Sequence, residues 1–196
     1  MKITKFGHSC ILIEEKGVII LIDQGSYSTS QNQVKNIDFV FITHEHFDHY
    51  CLENLKEILK NNPQVKIITN KSVGALSQKE NISFCEVGDD KNFNSTGVSI
   101  EGIGKDHALI YPSIPIIQNT GCLIANKFFY SGDALIDPLK KVEILALPIA
   151  APWMRLSEAI DYALKINPKI CFPVHDWNLH SRDRISGEIS EEILFK

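Results

Sequence analysis

Runs of apolar, β-branched residues dominate the start of the chain and predict strands over residues 2–22. The segment Glu14–Gly17 interrupts these runs and predicts a hairpin turn, with Gly17 in the left-handed backbone region. Residues 24–36 are rich in serine, glutamine and asparagine and predict a loop. The chain is therefore expected to begin with a strand hairpin and a polar connection.

Strand and helix patterns alternate in the next part of the chain. The apolar run 37–43 predicts a buried strand. A helix is predicted after it, because apolar residues recur at helical spacing at Leu52, Leu55, Ile58 and Leu59. Strands over 65–69 and 82–87 then enclose a short helix over 71–78. This order predicts a βαβα layout with a right-handed crossover.

The second half of the chain shows a similar alternation. Its predicted elements are strands over 98–104, 142–148 and 170–174, a hairpin over 120–130 and a helix from Leu156. The chain has 196 residues and no linker-like tract. We therefore expect a single α/β domain over residues 1–196.

Side chains that bind metals are concentrated between the strand 37–43 and the helix that follows it. His44, His46, Asp48 and His49 fall within a stretch of six residues. In an extended segment, His44 and His46 point the same way and can hold one metal, while Asp48 and His49 can face a second metal close by. Imidazole and carboxylate together suit Zn, with Fe, Mn or Co as alternatives. A merely solvated polar loop explains this spacing poorly.

Composition limits the classes of partner. The chain has 44% hydrophobic and 22% charged residues and a net charge of −4, which argues against nucleic-acid and membrane-surface binding. No apolar run approaches a membrane span, and charged residues at 14–16 interrupt any signal-peptide pattern. The five cysteines are scattered and fit reduced thiols. We therefore expect a cytoplasmic protein that acts on a small molecule, and a homo-oligomer stays open.

The spacing His-x-His-x-Asp-His after a strand, here residues 44–49, resembles the signature of the metallo-β-lactamase superfamily. Two further patterns resemble its small lactonase-like branch, the L-ascorbate-6-phosphate lactonase-like hydrolases. They are the opening Gly7-His8-Ser9 and the order Leu-Pro-Ile, loop, helix, Asn-Pro-Lys, strand, Pro-x-His near the end. The resemblance covers nearly the whole chain and implies a four-layer αββα sandwich with two pseudo-equivalent halves and the site on one edge.

The resemblance also completes the set of candidate metal ligands. It puts the third ligand of the His44/His46 metal on a histidine at a strand end, here His107, with Asp106 as an alternative. It makes Asp133 the carboxylate that bridges two metals, although a Gly-Asp pair is also a common turn. It assigns the last ligand of the second metal to a histidine after the final strand. The seven expected ligands are His44, His46, His107, Asp48, His49, Asp133 and His175.

Other residues are expected to support or line this site. The resemblance gives Asp23 a supporting role toward the histidine loop, and a simple strand-end turn is the alternative. His8 is expected to be structural or to support the ligands. Residues that could wall a substrate pocket are Trp153, Trp177, Tyr111 and His180. Of these, His180 could also donate to an anionic substrate.

These expectations point to metal-assisted hydrolysis. Two divalent ions, with Zn preferred to Mn or Fe, would lower the pKa of a bridging water toward ~7 and provide hydroxide at neutral pH. Asp48 is the expected catalytic residue, because it would bind metal and orient that hydroxide. The expected substrate is an ester or lactone of a small anionic metabolite, with a phosphodiester as the close rival.

Two other classes of function stay open. One is an iron-dependent redox or sulfur-oxidising enzyme on the same fold, although the diiron oxygen-reducing branch usually has glutamate at the position of His46. The other is a non-catalytic metal-binding protein, which the complete ligand set argues against.

Overall fold

The computed structural model describes residues 1–95 and 97–178 and the backbone of residues 187–188. The first half of the chain builds one sheet and the two helices that cover it. Its elements are β1 (Lys2–Gly7), β2 (Cys10–Glu15), β3 (Val18–Ile22), β4 (Phe39–Ile42), α1 (Leu52–Asn61), β5 (Lys66–Thr69), α2 (Lys71–Lys79) and β6 (Phe84–Glu86). A short 3₁₀ helix over Ser30–Gln33 lies inside the predicted loop.

The second half builds another sheet and one more helix. Its elements are β7 (Asn92–Ser95), β8 (Val98–Ile103), β9 (Gly121–Ile124), β10 (Phe128–Tyr130), β11 (Ile144–Pro148), α3 (Leu156–Ile166) and β12 (Ile170–Val174). A short strand, β13 (Gly187–Glu188), returns to pair with β1. Over the described residues, the strand order is β13-β1-β2-β3-β4-β5-β6 in the first sheet and β12-β11-β10-β9-β8-β7 in the second.

Both sheets change from antiparallel to parallel pairing along their width. In the first sheet, β1, β2 and β3 are antiparallel neighbours, whereas β3 to β6 are parallel. In the second sheet, β7 to β10 are antiparallel, whereas β10 to β12 are parallel. Because the carboxyl ends of parallel strands share one edge of a sheet, the loops that leave β4, β10 and β12 can meet there.

Three apolar clusters hold the layers together. The largest fills the space between the sheets and includes Phe41 of the first sheet and Phe172 of the second. Another packs α1 and α2 onto the first sheet through Leu55 and Val73, and the third packs α3 onto the second sheet through Tyr162. The predicted αββα sandwich is therefore confirmed.

The apolar pattern did not predict every element. Strand β7 has the sequence Asn-Phe-Asn-Ser, so Phe93 is its only apolar residue. It forms through main-chain pairing with β8 at the edge of the second sheet. The short β13 was also not predicted.

The predicted helices begin where the pattern places them. None of the helices in the described part of the chain has the length and apolarity needed to cross a bilayer.

A buried ion pair joins the first strand to the end of the last strand of the second sheet. Lys5 Nζ in β1 donates to Asp176 Oδ2, two residues after β12, at 2.6 Å, and neither side chain is exposed. A charge removed from water is tolerated only when it is paired. The pair therefore fixes the end of β12 against the first sheet.

We expect the substitution Lys5→Met to lower the free energy of unfolding by about 3–5 kcal/mol, because it removes one partner of a buried ion pair. Urea denaturation measures this change. The control is Lys2→Met in the same strand, since Lys2 is 51% exposed and lies 3.7 Å from an exposed Glu14. That exposed pair should contribute less than about 1 kcal/mol. Equal effects of the two substitutions would contradict the role given to the buried pair.

Candidate metal centre

The seven candidate ligands come from both halves of the chain and meet at one edge of the sandwich. The first cluster consists of His44, His46, His107 and Asp133, and the second cluster consists of His8, Asp48, His49 and His175. Within each cluster the candidate ligand atoms all lie within 4.8 Å of one another. The structure therefore brings all seven residues together and adds His8, which the sequence analysis treated as a supporting residue.

Asp133 lies between the two clusters. Its Oδ1 is 3.3 Å from His49 Nε2, and its Oδ2 is 3.1 Å from His175 Nε2 and 3.5 Å from His107 Nε2. Burial by itself would raise the pKa of this carboxyl, but His49 and His175 hold the pKa of Asp133 well below its usual range. The side chain is therefore a carboxylate that contacts histidines of both clusters.

Several buried polar atoms at this edge have no hydrogen-bond partner among the described residues. They include His49 Nε2, His107 Nε2 and Asp133 Oδ1. A buried polar atom without a partner costs about 1–3 kcal/mol, so it is rare in folded proteins. A cation satisfies imidazole nitrogens and carboxylate oxygens together, so this donor set fits a divalent metal.

Four of the histidines are held through Nδ1. The partners of Nδ1 are Thr43 Oγ1 for His44, Asp23 Oδ2 for His49, and the carbonyl oxygens of Ala108 and Ala150 for His107 and His175, at 2.6 to 2.9 Å. With Nδ1 engaged in this way, Nε2 is directed toward the other members of the clusters. Histidines that bind metals are oriented by the same kind of outer hydrogen bond.

Asp23 anchors the histidine loop from β3. Its Oδ1 accepts from the Thr43 backbone N–H and its Oδ2 from the Thr43 hydroxyl, both at 2.8 Å. The following loop also packs closely, because a Cβ on Gly25 would lie 1.7 Å from the carbonyl oxygen of Asp48. Only glycine at position 25 lets the two loops approach in this way.

Three residues of the site leave their strands in the left-handed backbone region. His8, Asp23 and His175 have φ values of 47°, 50° and 54°, and each directly follows the last residue of β1, β3 or β12. This conformation is uncommon for residues other than glycine and costs of order 1–3 kcal/mol. The strained residues that follow these three strands therefore all lie at the candidate site.

His8 orients the carboxylate of Asp48. Its Nε2 lies 2.9 Å from Asp48 Oδ2, and its Nδ1 accepts the backbone N–H of Trp177 at 3.3 Å. Burial lowers the pKa of His8 to about 4, despite the opposing hydrogen bond to Asp48. The ring is therefore neutral at pH 7, and its one proton lies on Nε2, where it is donated to Asp48.

The predicted pocket residues lie in different places. Trp153 Nε1 donates to Asp133 Oδ2 at 3.1 Å, so this indole holds a carboxylate of the centre. Tyr111 is 62% exposed, and among the described residues no hydrogen bond or ring contact joins it to either cluster. Trp177 is partly exposed beside His8. His180 lies outside the described residues.

His107 and Asp106 were the alternatives for the third ligand beside His44 and His46. The structure buries His107, whereas Asp106 is exposed.

Asn119 shapes the turn before Asp133, and its role was not predicted. Asn119 Oδ1 accepts the Asp133 N–H at 3.1 Å, and its Nδ2 donates to the Ser131 carbonyl at 2.9 Å. Gly132 has a φ of 64°, and a Cβ there would lie 2.2 Å from Asn119 Oδ1. Glycine is thus needed at position 132 because the amide of Asn119 lies against it. No local spacing indicates this contact, since Asn119 stands 14 residues from Asp133.

Comparison with known proteins matches the chain over nearly all of these elements. A family model described as a beta-lactamase superfamily domain matches residues 2–175. Protein Rv0786c of Mycobacterium tuberculosis is 33% identical over 180 residues, which cover 89% of this chain and 84% of that protein. A relative from Nanoarchaeum equitans, named a UPF0173 metal-dependent hydrolase, is 29% identical over 192 residues, covering 89% of this chain and 83% of its own. A solved metallo hydrolase from Ignicoccus hospitalis aligns with a TM-score of 0.71 and 23% identity, over 89% of this chain and 82% of its own.

His175 carries a proton in the metal-free protein. Burial would lower its pKa, but the carboxylates of Asp133 and Asp48 and the Ala150 carbonyl raise the pKa of His175 from 6.5 to about 10. The folded-state pKa therefore exceeds that of the unfolded chain. It follows that this proton stabilises the metal-free fold fully below pH 6.5, and that the contribution falls as pH rises toward about 10.

We expect an NMR titration of the chelator-treated protein to give His175 a midpoint far above 6.5. The variant Asp133→Asn should move this midpoint down, because it removes the carboxylate that contributes most to the raised pKa. The free energy of unfolding without metal should also fall between pH 6.5 and 10, and should fall less in His175→Gln. A wild-type midpoint near 6.5 would show that the carboxylates do not hold this proton.

Proposed function

The chain belongs to the metallo-β-lactamase superfamily, and on this premise we propose that it is a metal-dependent hydrolase with two divalent ions, Zn in preference to Mn or Fe. The observation that carries the proposal is the pair of adjacent His/Asp clusters, linked by the buried carboxylate of Asp133. The relative named a metal-dependent hydrolase supports the same class. The lactonase-like branch stays a prediction.

The proposed ligand sets follow the two clusters. His44, His46 and His107 hold one ion, and Asp48, His49 and His175 hold the other. Asp133 would serve both sets, since its Oδ1 faces His49 and its Oδ2 faces His107 and His175. When bound, such ions polarise a carbonyl or phosphoryl oxygen and lower the pKa of a water to about 7.

Asp48 is the proposed catalytic residue. Its Oδ2 lies 2.9 Å from His8 Nε2, 3.4 Å from His175 Nε2 and 3.6 Å from His49 Nε2. Partial burial would raise the pKa of Asp48, but the hydrogen bonds and charges of these histidines lower it. Asp48 therefore stays ionised at neutral pH and can orient an attacking water as a hydrogen-bond acceptor. The neutral ring of His8 keeps that carboxylate in place by donating to it.

The raised pKa values of three cysteines support water as the nucleophile. Burial raises the pKa of the Cys10 and Cys122 thiols, and it raises the pKa of Cys171 to about 11. A thiol attacks poorly until it is deprotonated, so these residues are poor nucleophiles at neutral pH. We propose an ester or lactone of a small molecule as the substrate, with a phosphodiester as the rival.

Protein purified without chelators should contain close to two zinc-like ions per chain, and it should hydrolyse at least one member of a panel of lactone, thioester and phosphodiester substrates. A chelator should abolish this turnover, and Zn or Mn should restore it, because no other nucleophile is proposed. Elemental analysis measures the metal content, and a hydrolysis assay measures the turnover.

Turnover that survives loss of metal would refute the mechanism. A single iron with oxygen consumption would favour the redox alternative, and bound metal without any turnover would favour a binding protein.

The substitution Asp133→Asn should separate metal pairing from folding. It keeps the shape of the side chain but removes the negative charge between the clusters. We expect a folded protein that retains the His44/His46/His107 ion more firmly than the second ion. Its turnover should fall by a factor on the order of 10²–10³, as when a key charge-stabilising group is removed. The matched control is Asp137→Asn, a partly exposed carboxylate paired with Lys165. Retention of both ions and of normal turnover would mean that Asp133 only caps a turn.

A further inference from the structure

Three aromatic side chains from separate segments meet beside the second cluster. The ring of Tyr27 stacks on that of Trp177 with centroids 4.9 Å apart and planes 18° from parallel. The ring of Phe47 meets the same Tyr27 edge-on at 5.5 Å. Phe47 is 62% exposed and Trp177 is 39% exposed, whereas Tyr27 is half-buried between them. We refer to Tyr27, Phe47 and Trp177 together as the aromatic ledge.

The aromatic ledge is joined directly to the second cluster. Tyr27 lies edge-on to His8 with ring centroids 4.9 Å apart, and the backbone N–H of Trp177 is donated to His8 Nδ1. Phe47 is the neighbour of Asp48 in the chain, and its carbonyl accepts the N–H of Ser26 at 2.9 Å. Burial, assisted by the charge of Asp48, raises the pKa of Tyr27. The ledge is therefore a neutral, aromatic surface that adjoins the proposed catalytic carboxylate.

An exposed group of contiguous rings differs from the single exposed apolar residues that are normal on proteins. Water solvates such a surface poorly, and a ligand that covers it gains binding free energy from the buried area. Aromatic rings also prefer flat partners, because offset stacks and edge contacts add to simple area burial. The chemistry of the ledge therefore favours a planar apolar group.

The ion pairs of the two clusters also bear on the class of ligand. Among the described residues, the ion pairs of the two clusters join only histidines and aspartates, namely the cluster members and Asp23. No lysine or arginine takes part in them.

A second group of apolar residues borders the first cluster. Ala108, Ile114 and Ile116 lie around His46 and His107 and leave a cavity of about 10 Å³. Such a space holds no more than a single water molecule. A ring of a substrate would therefore find room at the ledge and not in this cavity.

We propose that the aromatic ledge binds a flat apolar group of the substrate, so that the substrate class is an ester or lactone that carries an aryl or similarly planar group. This inference rests on the proposed hydrolase function and assigns Trp177, Tyr27 and Phe47 as its specificity-determining residues. The planar group lies on the side of the second cluster, next to Asp48.

Binding of an inert pair of probes tests the ledge apart from catalysis. The probes are 2-naphthamide and its saturated counterpart decahydro-2-naphthamide, measured by calorimetry on the metal-loaded protein. The wild type should prefer the flat probe by about fivefold, as expected for stacking beyond area burial. Trp177→Leu should reduce the preference below about twofold, and Trp177→Phe should retain most of it. The control Leu164→Ala, an exposed apolar residue on α3, should leave it unchanged.

Two results would overturn the proposal. One is equal binding of the two probes by the wild type. The other is an unchanged preference in both Trp177→Leu and Tyr27→Leu, the second variant being included in case the first folds poorly. Phenyl phosphate and inorganic phosphate form a further pair of competitors. If the two displace the flat probe equally well, the ledge contributes nothing and the site selects an anion.

Probe binding and metal-dependent turnover test the aromatic ledge and the proposed hydrolase function separately. Asp133→Asn should retain the preference for 2-naphthamide although it loses turnover. With 2-naphthyl acetate as substrate, Trp177→Leu should raise KM with a smaller change in kcat. A preserved probe preference without any metal-dependent turnover would refute the hydrolase and leave the ledge. Metal-dependent turnover without a probe preference would refute the ledge alone.

Discussion

The negative charge of a buried carboxylate must be balanced by hydrogen-bond donors or cations. This requirement at Asp133 is the constraint on which the site depends. Asp133 is 2% exposed, and the histidines that face it come from the loop after β4, from the loop after β8 and from the end of β12. Trp153 and the amide of Asn119 add hydrogen bonds to its side chain and to its backbone N–H. Because these groups belong to both sheets, the charge of Asp133 is balanced only when the sandwich is closed. Folding and assembly of the centre are therefore one event.

The parts of this arrangement that are local in the chain could be predicted from the sequence. Residues 44–49 place four candidate ligands in one loop, and the apolar spacing around that loop predicts both β4 and α1. The resemblance to a known superfamily added His107, Asp133 and His175, and the structure gathers all three at the same edge. Strands with two covered faces, such as β4, were predicted well because every residue in them is apolar.

The contacts that escaped prediction join residues far apart in the chain. Lys5 and Asp176 are separated by 171 positions, and nothing near either residue predicts a buried ion pair. The position of His8 beside Asp48 depends on two loops of the first sheet that are 40 residues apart in the chain, and the stack of Tyr27 on Trp177 depends on how the two sheets are docked. Strand β7 escaped for a different reason, since an edge strand can form through main-chain hydrogen bonds without an apolar pattern. Periodicity reports which face of an element is buried, but not which distant residue meets it.

His8 couples the candidate centre to the aromatic ledge. The N–H of His175 donates to the carbonyl of His8 at 3.2 Å, so two left-handed residues at the ends of β12 and β1 are held against each other. Two residues beyond His175, the N–H of Trp177 is donated to the ring of His8, and the same ring contacts Asp48. A shift of His8 would thus move the carboxylate and the indole together. The strained backbone at His8 and His175 therefore helps to align the aromatic ledge with the carboxylate of Asp48.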